Sequence, residues 1–235
     1  MTSTSTPVLV VLGVGPGLGL SIAQRFGAAG HRVALVSRSP ARHSDYLAAL
    51  SAKNVEAAAY VADAHDHDQL TRTLDEVRER FGRIDVGYYG AASLDVAMGD
   101  ITELAATSAR AALNSVVPVV DFAGQLLPEM RERGSGGLLF AGGLSSVVPM
   151  PSLGGLALAS AALRNYAITL HAALQPAGIY AGTITIGGLI ERGDIHRAMA
   201  GNGDLPTINP DELAELAWGL YRDGTEAEAV INLLS

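Results

Sequence analysis

The stretch from Val8 to Ser39, VLVVLGVGPGLGLSIAQRFGAAGHRVALVSRS, constrains this chain more than any other, because it reads as a strand, a glycine turn, a helix and a second strand. Val8 to Leu12 is an unbroken run of valine and leucine, the pattern of a strand buried on both faces. Gly13, Gly15, Gly17 and Gly19 follow at once, and a helix begins behind them. Without Cβ atoms, glycines let the backbone take positive φ and let a pyrophosphate approach the first amides of the helix. There the unpaired N–H groups and the helix dipole favour an anion. The spacing G-x-G-x-x-G is not met, since Leu18 stands where its third glycine would be, whereas Gly13-x-x-x-Gly17-x-Gly19 is present. A glycine turn alone is equally compatible with an ordinary tight turn.

Beyond Gly30 the chain keeps alternating strand and helix. Strands are expected at Val33–Ser37, Val55–Val61, Ile84–Tyr89, Gly136–Ala141, Ile179–Ile186 and Ala229–Leu233. Helices are expected at Pro40–Ala52, Asp66–Phe81, Gly154–Leu174 and Asp211–Arg222, with one long helical tract from about Ile101 to Arg133, bent near Pro118. This alternation predicts a single Rossmann-type doubly wound α/β domain, a mainly parallel sheet of about seven strands with helices on both faces. A chain of 235 residues, 49% hydrophobic, can bury one large core, so residues 7–235 are expected to form one domain behind a disordered Thr/Ser-rich tail at 1–6. No apolar run is long enough to span a bilayer, and the tail lacks the basic and apolar parts of a signal peptide. With no cysteine, no disulfide or thiolate site is available, and the expected compartment is the cytoplasm. The formal charge of −8 argues against nucleic acid as a partner.

The glycine spacing, the helix start behind it and Arg38 just past the second strand resemble the short-chain dehydrogenase/reductase family, and the resemblance extends over nearly the whole chain. It implies a nicotinamide dinucleotide held by Gly13, Gly15, Gly17, Leu18 and Gly19. Asp63 matches the family's aspartate at the adenine ring, with an N-cap or turn acid as its competing use. Ser37 and Arg38 stand where the family reads the adenosine ribose. NAD-preferring members carry an acid there for the 2′-hydroxyl, whereas serine followed by arginine suits a 2′-phosphate, so NADP(H) is favoured over NAD(H). The competing reading of Arg38 is a solvated loop residue, since Pro16 replaces the basic residue that some NADP-binding members have inside the turn. After the fourth strand the family's Asn-Asn-Ala-Gly has become Tyr89-Gly90-Ala91-Ala92, a turn in which Gly90 and Ala91 would still border the cofactor.

The departures are largest where the chemistry should be. Family members carry a serine after the fifth strand, a tyrosine thirteen residues later and a lysine four residues beyond that. The tyrosine exchanges the proton, the serine holds the substrate oxygen, and the lysine binds the nicotinamide ribose and lowers the tyrosine's pKa. A free phenol, with a pKa of about 10, is a poor base at neutral pH. Here those positions are Gly143, Leu156 and Ser160. A shifted alignment does not restore the set, because Lys53 is the only lysine in the chain and lies before the third strand. Tyr166 stands ten residues past Leu156, about 15 Å along a helix. Asn114 matches the asparagine of the family's proton relay, but without the lysine its expected role is helix geometry. Tyr89, Ser145 and Ser146 remain as substitute hydroxyl groups, against the plainer uses of core packing and loop capping.

No metal site is expected. His65 and His67 in AHDHD invite one, but Asp66 and Asp68 fit the start of a helix better. Residues 187–205, bounded by glycines and rich in charge, match the position of a substrate lid in the family. The helix from Gly154 to Leu174 is apolar nearly all round, which predicts a homodimer or homotetramer built on it. Packing of its alanines within the monomer is the alternative. Two functions stay open. One is an atypical NAD(P)(H)-binding family member without ordinary alcohol/carbonyl activity. The other is an NADPH-dependent oxidoreductase, or a non-redox enzyme of the same fold, with a different proton donor.

Overall fold

The structure, a computed structural model, describes residues 6–91, 98–199 and 205–234. The expected tail at 1–6, apart from Thr6, lies outside the described residues, as do Ala92 and residues 200–204 of the expected lid. Seven parallel strands form one sheet in the order β3-β2-β1-β4-β5-β6-β9. These are β1 Val8–Leu12, β2 Arg32–Ser37, β3 Ala57–Val61, β4 Val86–Tyr89, β5 Gly136–Gly143, β6 Ile179–Gly187 and β9 Glu228–Asn232. A separate two-stranded ribbon joins β7 Leu189–Ile190 to β8 Thr207–Ile208.

Alternation along the strands divides the core into two layers. From β1, Val8, Val10 and Leu12 enter the layer shared with helices α3 His67–Phe81, α5 Val117–Arg133 and α6 Gly154–Leu174. Leu9 and Val11 enter the opposite layer, with α1 Leu18–Ala28, α2 His43–Ser51 and α8 Pro210–Asp223. Tyr88 and Tyr89 follow the same rule and part to opposite faces. All five residues of β1 are almost fully buried, which is why that stretch carries no polar side chain.

The expected single tract from Ile101 to Arg133 is a correction. It divides into a 3-10 turn at Ile101–Glu103, α4 Ala106–Asn114 and α5. Leu104 and Ala105 are extended, with ψ of 112° and 146°, which ends the first piece. Pro118 sits in the first turn of α5, where its missing N–H costs nothing, so it starts a helix rather than bending one. The expected lid region at 187–205 holds β7 and α7 Asp194–Met199, and β8 follows just beyond it. No helix among the described residues is long and apolar enough to cross a membrane.

Helix α6, on which the family's chemistry would stand, is tied down by charge. Arg164 grips Glu228 of β9 with Nε–Oε1 2.7 Å and Nη2–Oε2 2.6 Å, and Thr185 of β6 donates to the same carboxylate at 2.6 Å. A bidentate guanidinium fixes direction as well as distance. At the amino end of β2, His31 is buried against the rings of Phe26, Trp218 and Tyr221. Burial lowers its pKa below the ordinary 6.5, outweighing the Phe26 carbonyl and the charge of Asp85. The fold therefore favours the neutral ring. Its contribution is full above the unfolded value and declines as pH falls below it. Urea melts of the wild type should lose stability from pH 7 to pH 5, and His31→Phe should reduce that loss. Parallel curves for the two proteins would show that His31 does not contribute to it.

Candidate functional site

Strand order reverses between β1 and β4, so the crevice at their carboxyl ends is where an open α/β sheet receives a ligand. The glycine turn occupies that place. Gly13 has φ +88°, and a Cβ on it would lie 2.3 Å from Ala91 N. Gly13 N donates to Val36 O of β2 at 2.9 Å, and Gly90 N donates to Leu12 O at 2.9 Å, so the turn after β1 is held to β2 on one side and to the turn after β4 on the other. Only glycine fits there. Gly15 faces open space, with nothing within 4 Å of its Cβ position. Gly19 lets α1 start close to Val14, whose Cα is 3.0 Å from the missing Cβ. Helix α1 has no side-chain cap and no acid in its first turn, and Leu20 N and Ser21 N are engaged by Gly15 O at 3.1 Å and Gly17 O at 3.2 Å, which leaves the amides of Leu18 and Gly19 to an anion. This cradle fits a dinucleotide's phosphates.

At the carboxyl end of β2, Ser37 Oγ lies 3.0 Å from Ser39 O and 2.8 Å from His43 Nε2, while Arg38 is exposed. His43 is buried, and that burial lowers its pKa, so the neutral ring is favoured. Asp63 closes the turn after β3, its Oδ1 accepting from His65 N at 3.0 Å. The N-cap of α3 is Asp66, which accepts from Gln69 N at 3.0 Å.

Of the residues expected at the catalytic positions, Gly143 and Ser160 meet at the carboxyl end of β5. A Cβ on Gly143 would meet Ser160 Oγ at 3.1 Å and Ser145 Oγ at 3.7 Å. Ser146 is engaged differently, donating to Gly143 O at 2.8 Å. Leu156 is half-buried and Ser160 buried on α6. Tyr89 is 5% exposed and packs on Phe122, and its phenol is pushed up to about 12 by burial and by Asp63. Burial raises Tyr88 further. Asn114 ends α4 with its side chain exposed, at the break before α5. Lys53 lies in the connection from α2 to β3, at the opposite end of the sheet, and bonds Gln24 Oε1 at 2.9 Å. His67 pairs with Asp121 at 2.9 Å, and among the described residues no group of three His, Asp or Glu is placed to hold a metal.

Two features escaped the sequence reading. His43 reaches back to Ser37 from the first residue of α2, a contact that no strand or helix period signals. The segment after β6 lies directly on the glycine turn, where a Cβ on Gly17 would be 3.1 Å from both Glu191 O and Gly193 N. Nothing in the residues around Gly17 announces a neighbour so distant in the chain.

A family model described as short chain dehydrogenase matches residues 7–192. The chain belongs to that family. The chain is 35% identical over 104 residues to levodione reductase of Leifsonia aquatica, a match that spans 40% of this chain and 39% of that relative. A putative ketoacyl reductase of the monensin polyketide synthase of Streptomyces virginiae is 34% identical over 86 residues, 37% of this chain and 33% of its own. The chain thus matches less than half the length of either curated relative. Among solved structures, L-sorbose reductase from Gluconobacter frateurii, complexed with NADPH and L-sorbose, superposes with a TM-score of 0.83 at 22% identity, covering 97% of this chain and 95% of that one. Actinorhodin polyketide ketoreductase with NADPH gives a TM-score of 0.84 at 20% identity over 99% and 97%. At such identities the likeness is one of fold.

The glycines make a paired prediction. Gly13→Ala combines left-handed φ with a backbone clash and should lower stability by about 1–3 kcal/mol or more. Gly15→Ala, facing open space, should melt within about 1 kcal/mol of wild type. Equal melting of the two variants in urea would contradict the locked turn.

Proposed function

We propose that this short-chain dehydrogenase binds a nicotinamide dinucleotide, NADP(H) in preference to NAD(H), and lacks the ordinary alcohol/carbonyl proton-transfer machinery of its family. Support for binding comes from the cradle: the locked turn of Gly13 and Ala91, the open Gly15 and the uncapped start of α1. The NADPH complexes of the sorbose reductase and the polyketide ketoreductase support the same cofactor class. Arg38 is the cation for a 2′-phosphate, and Asp63, Gly90 and Ala91 border the adenine and the turn. When bound, a nicotinamide ring supplies or accepts a hydride. The chain's own residues must then handle the proton.

One observation carries the negative half of the reading: Leu156 and Ser160 stand on α6 where a phenol and an ammonium would be needed, and Lys53 is at the far end of the sheet. Binding, regulation or sequestration of a ligand fits such a pocket. A second reading rests on the hydroxyls of Ser145 and Ser160 beside Gly143, which can orient a carbonyl oxygen for a slow NADPH-dependent reduction without an acid of matched pKa.

Self-association belongs to the same proposal. A groove of about 670 Å³ is lined by Leu113, Val116, Val117 and Val120 of the α4–α5 region together with Ala162 of α6. Val117 is 61% exposed, and a second copy would cover this face. On α6 itself Ala161 and Ala172 are exposed, so the helix carries the interface jointly with α4 and α5.

Fluorescence titration should give tighter binding for NADPH than for NADH, and Arg38→Ala should cost NADPH about tenfold while sparing NADH. Charge-assisted bonds of roughly 1.5–3 kcal/mol set that scale. Identical NADPH affinity in the variant would refute the 2′-phosphate role. NADPH oxidation over a panel of ketones and aldehydes should stay near background in the wild type, and robust turnover would favour the second reading. Light scattering should report a dimer or tetramer that Ala161→Arg weakens. A 24.2 kDa species at micromolar concentration would exclude it.

A further inference from the structure

The segment Leu189–Met199 is strapped down across the mouth of the crevice by three sets of contacts. Glu191 and Gly193 lay their backbone on Gly17. Arg192, at φ +64°, reaches Asp211 Oδ1 at 2.8 Å and Ser21 Oγ at 3.3 Å, and Ser21 in turn donates to Asp211 at 2.7 Å. These two sets join the strap to α1 and α8. The third set is different, because it reaches across to the connection after β2. There Arg42 Nη1 donates to Asp194 Oδ2 at 2.8 Å, and Arg197 holds the other oxygen at 3.0 Å.

Arg42 immediately precedes His43, whose Nε2 contacts Ser37, so the far anchor of the strap stands beside the position that meets the ribose. Ser37 has one hydroxyl hydrogen and two internal neighbours, Ser39 O and His43 Nε2, to satisfy with it. Whichever takes the hydrogen, what Ser37 offers outward is a lone pair. That suits a 2′-hydroxyl, which donates. A 2′-phosphate, which only accepts, must find its donors on Arg38 and Arg42, and Arg42 is already held by Asp194.

We propose that Asp194 and Arg42 form a latch that discriminates between the two nicotinamide dinucleotides: a 2′-phosphate draws Arg42 away from Asp194 and frees the strap, whereas a 2′-hydroxyl leaves the pair closed. The proposal rests on the dinucleotide reading above. The two side chains are 46% and 53% exposed, so the pair is weak enough for a ligand to break, and its loss is worth about a twofold to fivefold change in affinity. Asp194 thereby acts as a specificity-determining residue from outside the cofactor cradle.

Hydrogen exchange on the ligand-free protein and nucleotide titrations test the latch together. Both Asp194→Asn and Arg42→Gln should speed exchange of the amides in residues 190–199. Asp194→Asn should tighten NADPH about twofold to fivefold with NADH unchanged, while Arg42→Gln should weaken NADPH alone. Unchanged exchange in both variants, or equal shifts for NADPH and NADH, would overturn the proposal. Should the wild type bind neither dinucleotide, the cofactor reading fails and the discrimination with it, and the exchange rates still decide separately whether the ion pair holds the strap down. Both positions are on the surface, so thermal melts close to wild type should confirm that the variants fold.

Discussion

Burial of β1 on both faces is the constraint on which the rest of this structure depends. A central parallel strand has no solvent face, so all its side chains are apolar and its backbone groups must pair on both edges. β2 and β4 supply those pairs, and the chain crosses the sheet in opposite directions to reach them. The crevice at the carboxyl end of β1 follows from that reversal. So does the demand for glycine at position 13, because the chain must turn away within one residue of Leu12 while the turn after β4 presses against it. A binding cradle here is thus a by-product of how a doubly wound sheet is closed at its middle.

Much of this was legible in the sequence because it is local and periodic. The limits of β1 and of α6 agree with the residue pattern, since an unbroken apolar run and a long apolar helix each leave a strong signature. The tract from Ile101 to Arg133 was harder. It mixes strong helix formers with a run of valines and two prolines, and no glycine or proline marks the break at Leu104 and Ala105. Pro118 was visible, but a proline in a first turn and a proline at a bend look alike from sequence. The ribbon of β7 and β8 pairs only two residues on each side, too short for any period to register.

The site divides along the same line. Glycine spacing and the residues after β2 and β3 belong to short local motifs, which is why the sequence singles them out. The contacts that set its electrostatics are non-local. Arg42 and Asp194 are 152 residues apart, and Ser21 and Asp211 are 190 apart. Nothing in the sequence of a glycine-bounded, charge-rich segment says which charges meet, and only the fold reveals it. His43 is a milder case, since its separation from Ser37 is six residues but its path runs through a 3-10 turn and into a helix.

A lysine at the position of Ser160 would have a consequence for the fold as well as for chemistry. The position is 5% exposed and lies against Gly143 and Ser145. An ammonium there would be desolvated, and the hydroxyls of a bound ribose would be its natural partners, so it would stay costly until the ligand arrived. A serine carries no charge to compensate, and its small side chain fits where a Cβ on Gly143 would come within 3.1 Å of its hydroxyl. The glycine and the serine are therefore coupled. Restoring serine at 143 crowds Ser160, and restoring lysine at 160 reintroduces a buried charge, so either change alone is disfavoured in the ligand-free protein.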